Sequence, residues 1–202
     1  MNVIGLTGGI GTGKTHVSKI LEDLGAVAVY ADLVGHEVYR PHTEAWKEIV
    51  NAFGEEALTN SGAVDRKKLS AIVFSDPIAL SQLNAITHPR IYQEIEERIQ
   101  TLRSEGTRVV VVEAALLVEA NWLPLVNEVW VIRTPESQVV ERLKRYKNLD
   151  DEAIRSRIRS QMHDDERARY ADVLIENRGS IAELRDRVQQ LWNNRVATDK
   201  GE

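Results

Sequence analysis

Eight consecutive residues carry the strongest chemical signal in the sequence: Gly8-Gly9-Ile10-Gly11-Thr12-Gly13-Lys14-Thr15. They fit the pattern G-x-x-x-x-G-K-S/T. Glycines at this density let successive backbone N–H groups turn inward around phosphate oxygens. A helix beginning near Gly13 aims its positive end at the same anion. Gly9, Gly11, Thr12 and Gly13 then cradle the phosphates, Lys14 bridges the β- and γ-phosphates, and Thr15 offers its hydroxyl to Mg²⁺. The implied ligand is a Mg²⁺-nucleotide. The bland alternative is a glycine turn with an incidental lysine. The position of the pattern between an apolar run and a helical stretch argues against it.

The loop does not say what becomes of the nucleotide. A GTPase needs a guanine-reading Asn-Lys-x-Asp after a late strand, and Ile132 is followed by Arg133-Thr134-Pro135-Glu136 instead. Phosphoryl transfer to a small molecule suits the chain length. Asp32 lies just after the second apolar run. In a parallel sheet the carboxyl ends of strands beside the phosphate loop form the ligand crevice, and a carboxylate there could accept the proton of an attacking hydroxyl. Capping the following segment is an equal alternative for it.

The elements that must hold these residues can be read from hydrophobic spacing. Val3 to Thr7 predicts a buried strand, and Lys14 to Leu24 a helix with Val17, Ile20, Leu21 and Leu24 on one face. Ala26 to Tyr30 predicts a second strand. Residues 35–106 predict an almost wholly helical insertion: Thr43 to Phe53, Asp65 to Phe74, a start at Asp76-Pro77, and a long helix to about Arg103 that begins after His88-Pro89. Strands return at Arg108 to Glu113, Glu128 to Ile132 and Val173 to Ile175. Thr134-Pro135-Glu136 predicts a capped helix start, Asp150 to Gln161 a charged helix, and Ser180 to Glu183 a capping box. Five strands alternating with helices predict a three-layer α/β/α fold around a parallel sheet.

The 202 residues are 43% hydrophobic and 28% charged, ordinary for a globular chain. Cysteine is absent, which excludes disulfides, thiolate metal sites and cysteine nucleophiles. Lys and Arg number 26 against 31 Asp and Glu, a net charge of −5. That argues against a general nucleic-acid binder, which needs a basic face. From Arg142 to Arg169, however, nine Lys or Arg stand against six Asp or Glu, a local excess suited to an anion. The five histidines show no metal-ligand spacing. No run approaches the ~20 apolar residues of a membrane helix, and Met1 to Leu6 does not resemble a signal peptide. The expectation is a soluble, cytoplasmic protein with no membrane partner, monomeric or weakly self-associating.

Further segments resemble one family, the dephospho-CoA kinases. They are Gly5 to Thr15, Leu83-Asn84-Ala85-Ile86-Thr87-His88-Pro89, Leu116-Leu117-Val118-Glu119, Arg142-Leu143-Lys144-Arg145, Gln161-Met162, and Ala171 to Asn177. The resemblance runs over almost the whole chain. It implies ATP-dependent phosphorylation of the ribose 3′-hydroxyl of dephospho-CoA, the last step of coenzyme A synthesis. It also implies a P-loop nucleotide core (1–34 and 107–202, with a lid at about 143–168) and a helical acceptor domain (35–106). ATP, with Mg²⁺, and dephospho-CoA are the implied substrates.

Carried over by residue, the resemblance makes Asp32 the general base. Lys14, Arg142 and Arg145 would stabilise the transferred phosphoryl. His16, Asn177 and Gly179 join the loop in binding ATP. His88, Leu116 and Glu119 join Asp32 in binding the acceptor, and Thr15 and Glu113 serve the metal. The bland alternatives are a structural histidine, a solvated basic face and a simple turn at Asn177. Four positions depart from the family. Tyr30 replaces the first acid of Asp-Ala-Asp, and a neutral phenol cannot act as a carboxylate near Mg²⁺. Ala115 replaces a proline, and Gly35-His36 replaces the commoner Ala-Arg. Two other readings remain open: a kinase of another small alcohol or nucleotide, and a nucleotide-binding relative with impaired catalysis.

Overall fold

The computed structural model describes residues 1–147 and 151–196. The backbone separates into two units, Tyr30–Gln100 and the rest of the chain on either side of it. The sequence put these bounds at 34/35 and 106/107.

The first unit is built on a sheet of strands β1 (Asn2–Gly8), β2 (Val27–Tyr30), β3 (Val109–Glu113), β4 (Glu128–Arg133) and β5 (Val173–Glu176). Their order is β2-β3-β1-β4-β5, and β1 pairs in parallel with both β3 and β4, as β4 does with β5. Val109 to Val112 are all buried, as expected of a strand covered on both faces. Helices α1 (Lys14–Asp23) and α9 (Ile181–Arg195) bring Val17, Ile20, Leu21, Leu184 and Val188 against Ile4, Leu6, Trp130, Ile132 and Ile175. Each such buried side chain contributes about 1.5–3 kcal/mol. The capping box of α9 is present: the Ser180 hydroxyl accepts from the Glu183 N–H, and the Glu183 carboxylate accepts from the Ser180 N–H at 2.6 Å.

Helices α6 (Glu136–Lys147) and α7 (Asp151–Arg159) share a small core of Val139, Leu143 and Ile154, joined by Ile10 of the glycine loop. Asp150, the expected start of α7, lies outside the described residues. Thr134 does not cap α6. Its hydroxyl is shared between the carbonyls of Thr12 and Asn177, each at 3.1 Å, so the Pro135 carbonyl takes the first helical N–H groups, those of Gln138 and Val139. A short helix, α8 (Asp164–Arg167), capped by His163, was not legible in the sequence.

The second unit holds α2 (Ala31–Val38), α3 (Glu44–Phe53), α4 (Arg66–Ser75) and most of α5 (Pro77–Ser104). Thr43 caps α3 and Asp65 caps α4, each accepting backbone N–H groups. Asp76 accepts the Ile78 N–H at 2.8 Å, with Pro77 at the first helical position. Ile49, Phe53, Leu69, Val73 and Ile86 form the core of this unit.

The sequence predicts a helix start after His88-Pro89, but α5 runs unbroken through it. An interior proline costs about 3 kcal/mol, but Ile86 and Ile91 are both buried on either side of it. Packing therefore outweighs the break. Residues 31–38 are helical with Gly35 inside them, and a Cβ there would lie 3.4 Å from Ile91 Cδ1, an ordinary contact. Among the described residues, no helix is long and apolar enough to cross a membrane.

Candidate active site

The glycine loop connects the end of β1 to α1. Gly13 caps α1 with φ 101° and ψ 22°, the left-handed region that glycine enters without penalty. It also leaves room for a neighbour: a Cβ there would lie 2.5 Å from Asn177 Nδ2. That amide donates to the Thr12 carbonyl at 2.8 Å, and the Thr12 hydroxyl donates to the Gly9 carbonyl at 2.8 Å. Thr12 and Asn177 are both buried. The Asn177 side chain is therefore committed to the underside of the loop. The Asn177 backbone carbonyl accepts from Arg142 Nη2 at 3.3 Å. Lys14 Nζ donates to the Gly8 and Gly9 carbonyls at 2.8 and 3.1 Å, which holds its ammonium within the loop. His16 is exposed in the first turn of α1, and Arg145 is exposed on α6. Gly179 is exposed and precedes the cap of α9.

Glu113 ends β3, and Leu6 of β1 is its register partner. Thr15 Oγ1 donates to its Oε1 at 3.1 Å, and Ser18 Oγ to its Oε2 at 2.6 Å. Ser18 was not foreseen; its only sequence signal is the i+3 spacing from Thr15, which puts both hydroxyls on one helix face. The Thr15 hydroxyl and the Glu113 carboxylate form a hard oxygen donor set. That set fits Mg²⁺, which is held by few protein oxygens together with substrate phosphates.

The segment around α8 also reaches the loop. Gln161 Oε1 accepts the Ile10 N–H at 2.8 Å. Arg167 is fully buried and donates to Asp164 Oδ1 and to Glu119 Oε1, each at 3.0 Å. Glu119, expected to meet the acceptor, thus spends its carboxylate on Arg167. Leu116 is exposed.

In the second unit, Asp32 is exposed in the first turn of α2, where a carboxylate favours the helix dipole. Tyr30 occupies the cap position, so Asp32 is not the cap. His36 follows one turn later. Burial and then Arg66 hold its imidazole below the ordinary value, against the opposing charge of Asp32. Tyr39 meets the His36 ring edge-on, with centroids 6.1 Å apart, and burial pushes its phenol up. His88 is half-buried on α5, and burial pushes its pKa down.

A family model described as dephospho-CoA kinase matches residues 2–183, a span that takes in every residue of the site. The chain belongs to the dephospho-CoA kinase family. A dephospho-CoA kinase from Geobacter sulfurreducens is 44% identical over 195 residues, covering 96% of this chain and 99% of its own. One from Dehalococcoides mccartyi is 41% identical, covering 97% and 98%. Among solved structures, a dephospho-CoA kinase from Campylobacter jejuni matches at TM-score 0.72 and 28% identity, covering 98% of both chains.

Proposed function

We propose that this protein transfers the γ-phosphoryl group of ATP to the ribose 3′-hydroxyl of dephospho-CoA, giving coenzyme A and ADP. The observation that carries the reading is the near full-length family match, joined to a loop in which Lys14, Thr15 and Glu113 are already assembled. Glycine-loop N–H groups, helped by His16, bind the ATP phosphates. Thr15 would hold Mg²⁺ with Glu113 behind it, and the ion would neutralise charge on the β- and γ-phosphates.

Lys14 and Arg145 stabilise the transferring group. Arg142 supports the donor side through its bonds to Thr134 and Asn177, and Asn177 and Gly179 border the nucleotide. On the acceptor side, Asp32 accepts the proton of the 3′-hydroxyl as that oxygen attacks phosphorus, and His88 and Leu116 contact the dephospho-CoA. Glu119 fixes the segment beside it through Arg167. The acceptor domain corresponds to 35–106 and the lid to about 143–168. A cytoplasmic location suits these substrates.

The test is ADP release by the purified chain with ATP, Mg²⁺ and a panel of acceptors. Turnover that depends on dephospho-CoA, and exceeds that with other small alcohols or nucleotides, supports the reading. ATP binding without acceptor-dependent ADP release favours the impaired alternative that Tyr30 motivates. In that case Tyr30→Asp is expected to restore turnover.

A further inference from the structure

The segment after α7 brings two oxygen-bearing side chains to the glycine loop. Gln161 Oε1 accepts the Ile10 N–H at 2.8 Å. A Cβ on Gly9 would lie 3.6 Å from Gln161 Oε1 and 3.5 Å from Asp164 Oδ1. The Ile10 side chain is held as well, packed with Val139, Leu143 and Ile154. The loop tip is therefore tied by its backbone to Gln161 and by its side chain to α6 and α7.

This arrangement carries an electrostatic difficulty. Asp164 is a carboxylate beside a loop shaped for polyanionic phosphates, and an unpaired negative charge there would oppose them. Arg167 reduces the difficulty. Its guanidinium is fully buried and pairs with Asp164 Oδ1 and with Glu119 Oε1. Its Nε, also buried, has no hydrogen-bond partner among the described residues. A buried guanidinium is an expensive way to hold two segments together, because apolar residues of similar size often serve stability equally well. Its charge therefore calls for a reason besides stability.

We propose that Gln161 and Arg167 are positioning residues for the nucleotide. Gln161 fixes the loop tip through Ile10, and Arg167 halves the charge of the two carboxylates that accompany it. The phosphates then meet fixed donors and one net opposing charge instead of two. The inference rests on the nucleotide-binding reading of the loop. Neither residue touches the reacting atoms.

The test is steady-state kinetics of the full chain, with KM for ATP and for dephospho-CoA measured separately. Wild-type turnover comes first: its absence would overturn the kinase reading rather than this one. Gln161→Leu, which keeps the size and loses the acceptor, is expected to raise KM for ATP about three- to tenfold. Its KM for dephospho-CoA and its melting temperature should stay near wild type. Arg167→Met is expected to raise KM for ATP at least about tenfold. Adding Asp164→Asn and Glu119→Gln to it should recover most of that loss, because the triad is then neutral. A purely structural Arg167 predicts a KM for ATP that changes only in step with the melting temperature across these variants. Should Arg167→Met fail to fold, the neutral triple variant and Gln161→Leu still decide the matter. An unchanged KM for ATP in Gln161→Leu, or a triple variant no better than Arg167→Met, overturns the proposal.

Discussion

Gly13→Ala perturbs the loop at the point where backbone geometry and side-chain packing coincide. Its φ of 101° forces an L-residue into the left-handed region, at about 1–2 kcal/mol. The new Cβ would also lie 2.5 Å from Asn177 Nδ2. That amide cannot simply step aside. It is buried and donates to the Thr12 carbonyl at 2.8 Å, while its own backbone is fixed by the Arg133 carbonyl and by the donors of Thr134 and Arg142. Displacing it forfeits a buried hydrogen bond, about 1–3 kcal/mol. The substitution should therefore cost about 2–5 kcal/mol in all, or about 5–15 °C of melting temperature for a chain of this size. Denaturant unfolding followed by circular dichroism measures it. The decisive comparison adds Asn177→Ala. With the amide already absent, Gly13→Ala should cost only its backbone share, so the double variant is more stable than the sum of the singles by about 1–3 kcal/mol. Additivity within about 0.5 kcal/mol would refute the contact as the cause.

Asp32→Asn should lower kcat by roughly 10²–10⁴ while ATP binding, read by calorimetry, stays intact; near-normal turnover removes Asp32 as the base. Glu113→Ala leaves the buried Ser18 hydroxyl without its acceptor, and should cost about 1–3 kcal/mol of stability and raise the Mg²⁺ concentration needed for half-maximal rate. His36 and His88 are both held below the ordinary 6.5, so the unfolded chain takes up their protons first. The stability gained by keeping these rings neutral is complete above 6.5 and lost as pH falls through the window beneath it. The urea midpoint should therefore drop between pH 7.5 and 5.5, and drop less in His88→Gln.

The features legible in the sequence are local. The glycine loop, the Asp76-Pro77 start and the Ser180 box each carry their signal within a few residues, so spacing alone reveals them. The remaining site depends on contacts that spacing cannot report. Gln161 meets Ile10 across 151 positions, Thr134 meets Thr12 across 122, and Arg167 meets Glu119 across 48. Gln161 was noticed only as part of a resemblance, and nothing in its neighbourhood tied it to the loop. Thr134 looked like a cap because its flanking Pro-Glu suits a helix start, yet its hydroxyl found two buried carbonyls instead. Pro89 looked like a boundary because local preference says so, and the packing of Ile86 and Ile91 overrode it.

The most direct test of the central claim follows the phosphoryl group itself. ATP labelled at the γ-phosphate is incubated with Mg²⁺, dephospho-CoA and either the wild-type chain or Asp32→Asn. The product is then separated and the position of its label assigned with a 3′-nucleotidase. Label appearing on dephospho-CoA with wild type, released by the 3′-nucleotidase, and reduced at least about a hundredfold by Asp32→Asn, is the predicted result. Label found only as free phosphate, or carried at another position of the acceptor, would contradict it.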